Sequence, residues 1–262
     1  MRIAVLQTGR ADLDGLAEAA GTASDRGARL LITPEMFTTG YNVPGVPERA
    51  QRAHGDWLDQ VAAIARSAGI AILYGFPERD GDDVFNAAQL VDRDGTVLAK
   101  HRKSHLFGDL DVRTFTPGSG DLAVVDLDGA RIGILICYDV EFPEAVRALA
   151  LAGADLVAVP TALMRPYEIV ARTVVPARAY ENQMYVAYAN RSGQEAELAY
   201  CGESCVVGPD GADLARAGSG EELLLAEIDP ARLASSRAAN THLRDRRPEL
   251  YGALTTTQEN AR

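Results

Sequence analysis

The chain has 262 residues, 47% of them hydrophobic, which is enough to bury one large core in a single domain. Its net charge of -11 and pI near 4.9 oppose a nucleic-acid or anionic-membrane partner. No basic segment followed by an apolar core opens the chain and no apolar run reaches spanning length, so the expectation is a cytoplasmic protein without signal peptide or membrane span.

Residues 3–7 read as a first strand and 13–26 as a helix. Residues 29–33 form a short apolar strand that stops at Pro34 and delivers Glu35 to its exit. A helix over 56–68 and a strand over 70–75 follow. Segments 85–91 and 96–100, joined by Arg93, Asp94 and Gly95, predict a hairpin that runs into a basic cluster of Lys100, Arg102 and Lys103. Ile132, Ile134 and Ile136 form a β-branched run ending at Cys137, before a helix over 144–151. The strand 155–159 ends in Thr161, Ala162, Leu163 and Met164, and a helix over 168–180 is interrupted near Pro176. Segments 206–209 and 214–217 flank a second hairpin turn at Asp210 and Gly211. Alternating βα units mixed with hairpins predict mixed sheets covered by helices, in helix, sheet, sheet, helix layers.

Three of these strand ends carry chemistry. Cys137 is either an inert buried thiol or a nucleophile. A helix start there would depress a thiol pKa and offer N–H groups to an oxyanion. Glu35 is either a surface acid or a base, and one cation of the 100–103 cluster could reach the same edge. The three cysteines, Cys137, Cys201 and Cys205, cannot all pair. Cys201 and Cys205 straddle Gly202, Glu203 and Ser204 with no second pair or histidine cluster to complete a zinc site, so no metal is expected. His54, His101, His105 and His242 show no ligand spacing, although His101 and His105 flank Lys103.

The stretches LITPE with Glu35, HRKSHLFG with Lys103 and ICYDVEFPE with Cys137 resemble the three signatures of the nitrilase superfamily, the carbon-nitrogen hydrolases. The resemblance extends from MRIAVLQTG through FTPG and GESCVVGPDG to RDRRPELYG, nearly the whole chain. It implies an α/β fold, a four-layer α-β-β-α sandwich with two mixed β-sheets. It also implies a catalytic triad with Glu35 as general base, Lys103 as oxyanion stabiliser beside the N–H of Tyr138, and Cys137 as nucleophile. Acyl transfer from an amide needs those three functions and no cofactor.

Many similar proteins carry a second glutamate soon after the lysine. Here the matching position holds Asp111, one methylene shorter, which either fills that role or caps a turn before Phe115. True nitrilases resemble CWE after the nucleophile, whereas CYD, with Tyr138 and Asp139, is similar to amidases and carbamoylases. Glu141 stands near where related amidases for anionic substrates carry an arginine. It either faces the ammonium group of a small aliphatic or amino-acid-type amide or complements a helix dipole. Tyr41 and Tyr167 are candidate aromatic walls, and Thr161 and Ala162 candidate pocket residues, each of which also fits plain packing.

The family resemblance implies one domain over 1–262, with segment 241–262 reaching a neighbouring subunit in a homodimer or higher homo-oligomer; the tail after Gly252 reads as unstructured. Among enzymes the alternatives to an amidase are an N-carbamoyl amide hydrolase and then a nitrilase. Outside enzymes the alternative is a catalytically silent binding subunit.

Overall fold

Alternation along the strands decides the layering, because each strand presents one apolar row to a second sheet and the other to helices. The computed structural model describes residues 1–255. Its strands are β1 (Arg2–Gln7), β2 (Leu30–Ile32), β3 (Ala71–Asp80), β4 (Asp83–Val91), β5 (Val97–Arg102), β6 (Val124–Leu127), β7 (Ala130–Ile134), β8 (Leu156–Pro160), β9 (Tyr185–Ala189), β10 (Gln194–Glu195), β11 (Leu198–Ala199), β12 (Cys205–Val207), β13 (Asp213–Arg216) and β14 (Glu222–Glu227). The α-helices are α1 (Leu13–Asp25), α2 (Asp56–Ala68), α3 (Gly108–Thr114), α4 (Pro143–Leu151), α5 (Val175–Asn182) and α6 (Pro230–Ala239).

One six-stranded sheet has the order β14-β1-β2-β3-β4-β5 and the other β13-β12-β9-β8-β7-β6, while β10 and β11 form a separate hairpin. Each large sheet has three parallel strands at its heart, β1, β2 and β3 in one and β7, β8 and β9 in the other, flanked by antiparallel strands. Ile3, Val5, Leu30, Ile32 and Leu73 meet Ile132, Ile134, Leu156 and Ala187 in the layer between the sheets. The opposite rows pack outward: Ala4, Leu31 and Ile72 with Leu16 and Val61 of α1 and α2, and Val157, Val159 and Val186 with Val146 and Val175 of α4 and α5. This is the expected four-layer α-β-β-α sandwich with two mixed β-sheets.

Local rules set the ends. Asp12 caps α1 by accepting from the Gly15 N–H at 2.6 Å, and Gly69 closes α2 in the left-handed conformation at φ +67. The helix expected over 168–180 with an interruption near Pro176 is a π-helical turn, Val170–Val174, that passes directly into α5, the change of winding falling just before Pro176, which has no N–H to donate. The strand expected over 70–75 runs on to Asp80. The tail expected to be unstructured after Gly252 begins with a 3-10 turn, Gly252–Thr255, and residues 256–262 lie outside the described residues. No helix among the described residues is long and apolar enough to cross a membrane.

Candidate active site

Both sheets send side chains to one edge. β2 has three residues because Pro34 cannot continue the ladder, and Glu35 follows at once. Its main chain is pinned on both sides: its N–H donates to the Thr161 carbonyl at 3.3 Å, and its own carbonyl accepts from Arg191 Nη1 at 3.3 Å. Gly75 on β3 passes close beneath, where a Cβ would stand 2.6 Å from the Met36 nitrogen. The Glu35 side chain is wholly buried. Its Oε1 accepts from Lys103 Nζ at 2.8 Å and from Asn86 Nδ2 at 2.6 Å, whereas Oε2 has no hydrogen-bond partner.

The pleat of β5 selects Lys103 from its basic cluster. Period two sends Lys100 and Arg102 outward, where both pair with Glu78, and turns His101 and Lys103 inward. The Lys103 ammonium then lies 2.7 Å from Asp111 Oδ2. Asp111 lies buried on α3 and not in a loop. Its Oδ1 accepts from the Tyr41 hydroxyl at 2.8 Å and its Oδ2 from the Phe107 N–H at 2.9 Å. Tyr41, expected as an aromatic wall, thus spends its hydroxyl on Asp111, with Lys103 Nζ 5.7 Å from its ring centroid.

Cys137 leaves the second sheet three residues beyond the end of β7, at φ +46. It opens a 3-10 helix, Cys137–Glu141, rather than a long helix. Asp139 holds this turn to the Lys103 loop. Its Oδ2 accepts from the Ile136 N–H at 3.1 Å and meets His101 Nε2 at 2.9 Å, while its Oδ1 meets His105 Nδ1 at 2.8 Å and accepts from the Ser104 N–H at 3.2 Å and the His105 N–H at 2.9 Å. These contacts hold the Asp139 carboxyl well below the usual carboxylate range despite its burial.

The electrostatics correct one expectation. The Cys137 thiol is not depressed: burial pushes it well above the ordinary thiol range and the Glu35 carboxylate adds to the shift, against the opposing pull of Lys103 and of a hydrogen bond from the Ala162 backbone. A five-residue turn offers too little dipole to outweigh that enclosure. Burial likewise raises the Glu35 carboxyl, with Lys103 opposing and Asp111 reinforcing. Burial alone would lower the Lys103 ammonium, yet the two carboxylates beside it raise it well above its usual value. The site therefore brings together a thiol, a carboxyl with one uncommitted oxygen and an amine held between two carboxyl groups, which together can move a proton and stabilise an anion.

The remaining residues sit at different depths. Glu141 is half-buried, its carboxyl raised by burial against the pull of Arg178 and Lys103. The Thr161 hydroxyl, just past the end of β8, donates back to the Val159 carbonyl of that strand at 3.1 Å. Phe107 meets the rings of Tyr138 and Tyr167 edge-on at 5.2 and 5.6 Å, forming an aromatic rim with Tyr167 exposed. Sequence reading missed Asn86, and it gave Asp139 no structural part. Asn86 could have been found from its place on β4, the strand hairpinned to the Lys103 strand. Cys201 and Cys205 are free thiols in the core. Among the described residues no group of three or more His, Cys, Asp or Glu side chains is arranged to hold a metal ion.

Residues 2–238 match the family model described as carbon-nitrogen hydrolase. A protein of Pseudomonas protegens known as the hydrolase in the pqqF 5' region is 49% identical over 97% of this chain and 92% of its own length. A nitrilase of Pyrococcus abyssi is 39% identical over 87% of this chain and 88% of its own. Among solved structures, a double variant of the amidase from Nesterenkonia sp. AN1, one glutamate changed to glutamine and one cysteine to alanine, binds acrylamide. It superposes with a TM-score of 0.88 at 38% identity, covering 97% of each chain.

Proposed function

The chain belongs to the carbon-nitrogen hydrolase family, the nitrilase superfamily, and on that premise we propose that it is an amidase that converts a small aliphatic or amino-acid-type amide to a carboxylic acid and ammonia. One observation carries the reading: the free Oε2 of Glu35 and the Lys103 ammonium share a buried site at the strand edge where Cys137 turns.

In the proposed cycle the Cys137 thiol gives its proton to Glu35 as sulfur bonds to the amide carbon, and the carbonyl electrons move to an oxyanion met by Lys103 and the Tyr138 N–H. Glu35 returns that proton to the nitrogen as the carbon-nitrogen bond breaks, releasing ammonia and leaving a thioester. A water then yields a proton to Glu35 and its hydroxide to the acyl carbon. Sulfur departs with the proton, giving the acid and the starting enzyme. Asp111 orients Lys103 rather than carrying the first proton. Thr161 and Ala162 form the pocket edge opposite Glu35, where the Ala162 backbone hydrogen bond to sulfur supports the placement. The half-buried Glu141 favours an ammonium-bearing amide.

Ammonia release from matched cationic, neutral and anionic amides, with the corresponding nitriles and N-carbamoyl compounds, tests the reading against a Cys137→Ala control. Leading activity on amides supports it. Leading activity on nitriles would move the assignment toward the Pyrococcus abyssi relative, and carbon dioxide released with ammonia would make the protein a carbamoylase. Exposed Leu250 and Leu254 also support a homodimer formed through segment 241–262; a monomer by light scattering would overturn that part.

A further inference from the structure

Glu195, on the small β10–β11 hairpin, takes no part in the cycle above, yet through Tyr41 and Arg191 it is linked to Asp111 and Glu35, which do. Its Oε2 accepts from the backbone N–H groups of Tyr41 at 2.9 Å and Asn42 at 2.8 Å and from the Tyr200 hydroxyl at 2.7 Å. Its Oε1 meets Arg191 Nη2 at 2.6 Å. The loop before Tyr41 is shaped around this carboxylate: Gly40 turns at φ +87, and a Cβ there would stand 2.8 Å from Oε1. Arg191 is wholly buried, and besides Glu195 its fork reaches the Glu35 carbonyl at 3.3 Å and the Gly9 carbonyl at 3.1 Å.

We propose that Glu195 is a positioning residue for Asp111 and Glu35, acting on the first through the Tyr41 backbone and on the second through the Arg191 guanidinium. The proposal rests on the reading of Glu35, Lys103 and Cys137 as reacting groups. The Tyr41 hydroxyl donates to Asp111 Oδ1 at 2.8 Å. An aspartate, one methylene short of a glutamate, depends on that donor and the Phe107 N–H to hold it against Lys103. Reacting groups misplaced by about 1 Å lose about a hundredfold in rate. On the other branch, a buried guanidinium needs a paired anion to stay where it holds the Glu35 carbonyl.

The test compares Glu195→Gln, Tyr41→Phe and the double variant, with kcat expressed per thiol whose alkylation by iodoacetamide is blocked by amide, so that thiols bared by misfolding, including Cys201 and Cys205, do not count. The expected result is that Glu195→Gln lowers kcat about tenfold with KM changed less than about twofold. In the Tyr41→Phe background the same change should cost clearly less, because both variants weaken one link. Losses that multiply would overturn the branch through Tyr41, and an unchanged kcat per thiol in Glu195→Gln would overturn the whole proposal. Should Glu195→Gln not fold, Tyr200→Phe removes one donor to the same carboxylate without unpairing Arg191 and is read against the same criterion. Wild-type protein that loses no activity on alkylation at Cys137 would instead overturn the underlying amidase reading.

Discussion

Lys103 Nζ lies 2.7 Å from Asp111 Oδ2, and neither side chain has any exposed surface. With Glu35 at 2.8 Å on the other side, one ammonium is shared by two carboxylates away from water. If Asp111 orients Lys103, Asp111→Asn should lower kcat by up to about a hundredfold while leaving KM nearly unchanged. Steady-state kinetics on the best amide checks this, and unchanged constants would make Asp111 a structural residue only.

Lys103→Met removes a cation that faces two buried carboxylates. It should reduce kcat by about a hundredfold to a thousandfold, as for loss of an oxyanion donor. Leaving buried charge unpaired should also cost roughly 3–5 kcal/mol of stability. Urea unfolding beside kinetics separates the two effects. A fully active variant would remove Lys103 from the mechanism.

The Glu35 carboxyl is raised by burial, with Lys103 opposing and Asp111 reinforcing. A base must be unprotonated to act, so kcat/KM should fall on the acid side at a pH above the ordinary carboxylate range. Asn86 donates to Glu35 Oε1 at 2.6 Å and favours the charged form. Asn86→Leu should therefore move the acid limb to still higher pH; a limb that stays put would mean that another group sets it.

Asp139 is held below the usual carboxylate range by His101 and His105 in spite of burial. A depressed carboxyl contributes stability above its unfolded-state pKa and loses it as pH falls through the folded one. The melting temperature of the wild type should therefore drop in acid more steeply than that of Asp139→Asn, which should already be less stable by about 1–3 kcal/mol at neutral pH. Parallel melting curves from neutral to acid pH would contradict this role.

Glu141→Gln should reduce the preference for an ammonium-bearing amide over its neutral isostere by ~1 kcal/mol, about fivefold. Competition between the two amides measures it directly. An unaltered ratio would assign Glu141 to the turn alone.

Much of this layout could be read from residue order. Pro34 ends a strand and hands Glu35 to its exit, and the β-branched run before Cys137 marks another strand end, so two members of the site are visible as punctuation in the chain. Residue types alone left Lys103 as one of three cations, the family resemblance singled it out, and the pleat gives the physical reason, with Lys100 and Arg102 turned away to Glu78. Asn86 was legible only through its place on the strand hairpinned to β5, and the tie of Glu195 to Tyr41, 154 residues away, was not legible because side-chain pairing at that range follows from topology. The thiol was misjudged for a related reason: a turn is local, but enclosure beside Glu35 is a property of the folded site.

Glu35 and Lys103 leave β2 and β5 of one sheet, whereas Cys137 and Ala162 follow β7 and β8 of the other. Ile32, Ile134 and their apolar neighbours between the sheets therefore act as a spacer that sets how far the Cys137 sulfur stands from the Glu35 carboxyl group. Trimming such a side chain would let the two halves settle while their backbone ladders stayed whole. Mild heat or pressure should reach the same gap, so that turnover fades while the spectroscopic signature of the strands persists. The middle of this molecule is a gauge as much as a core.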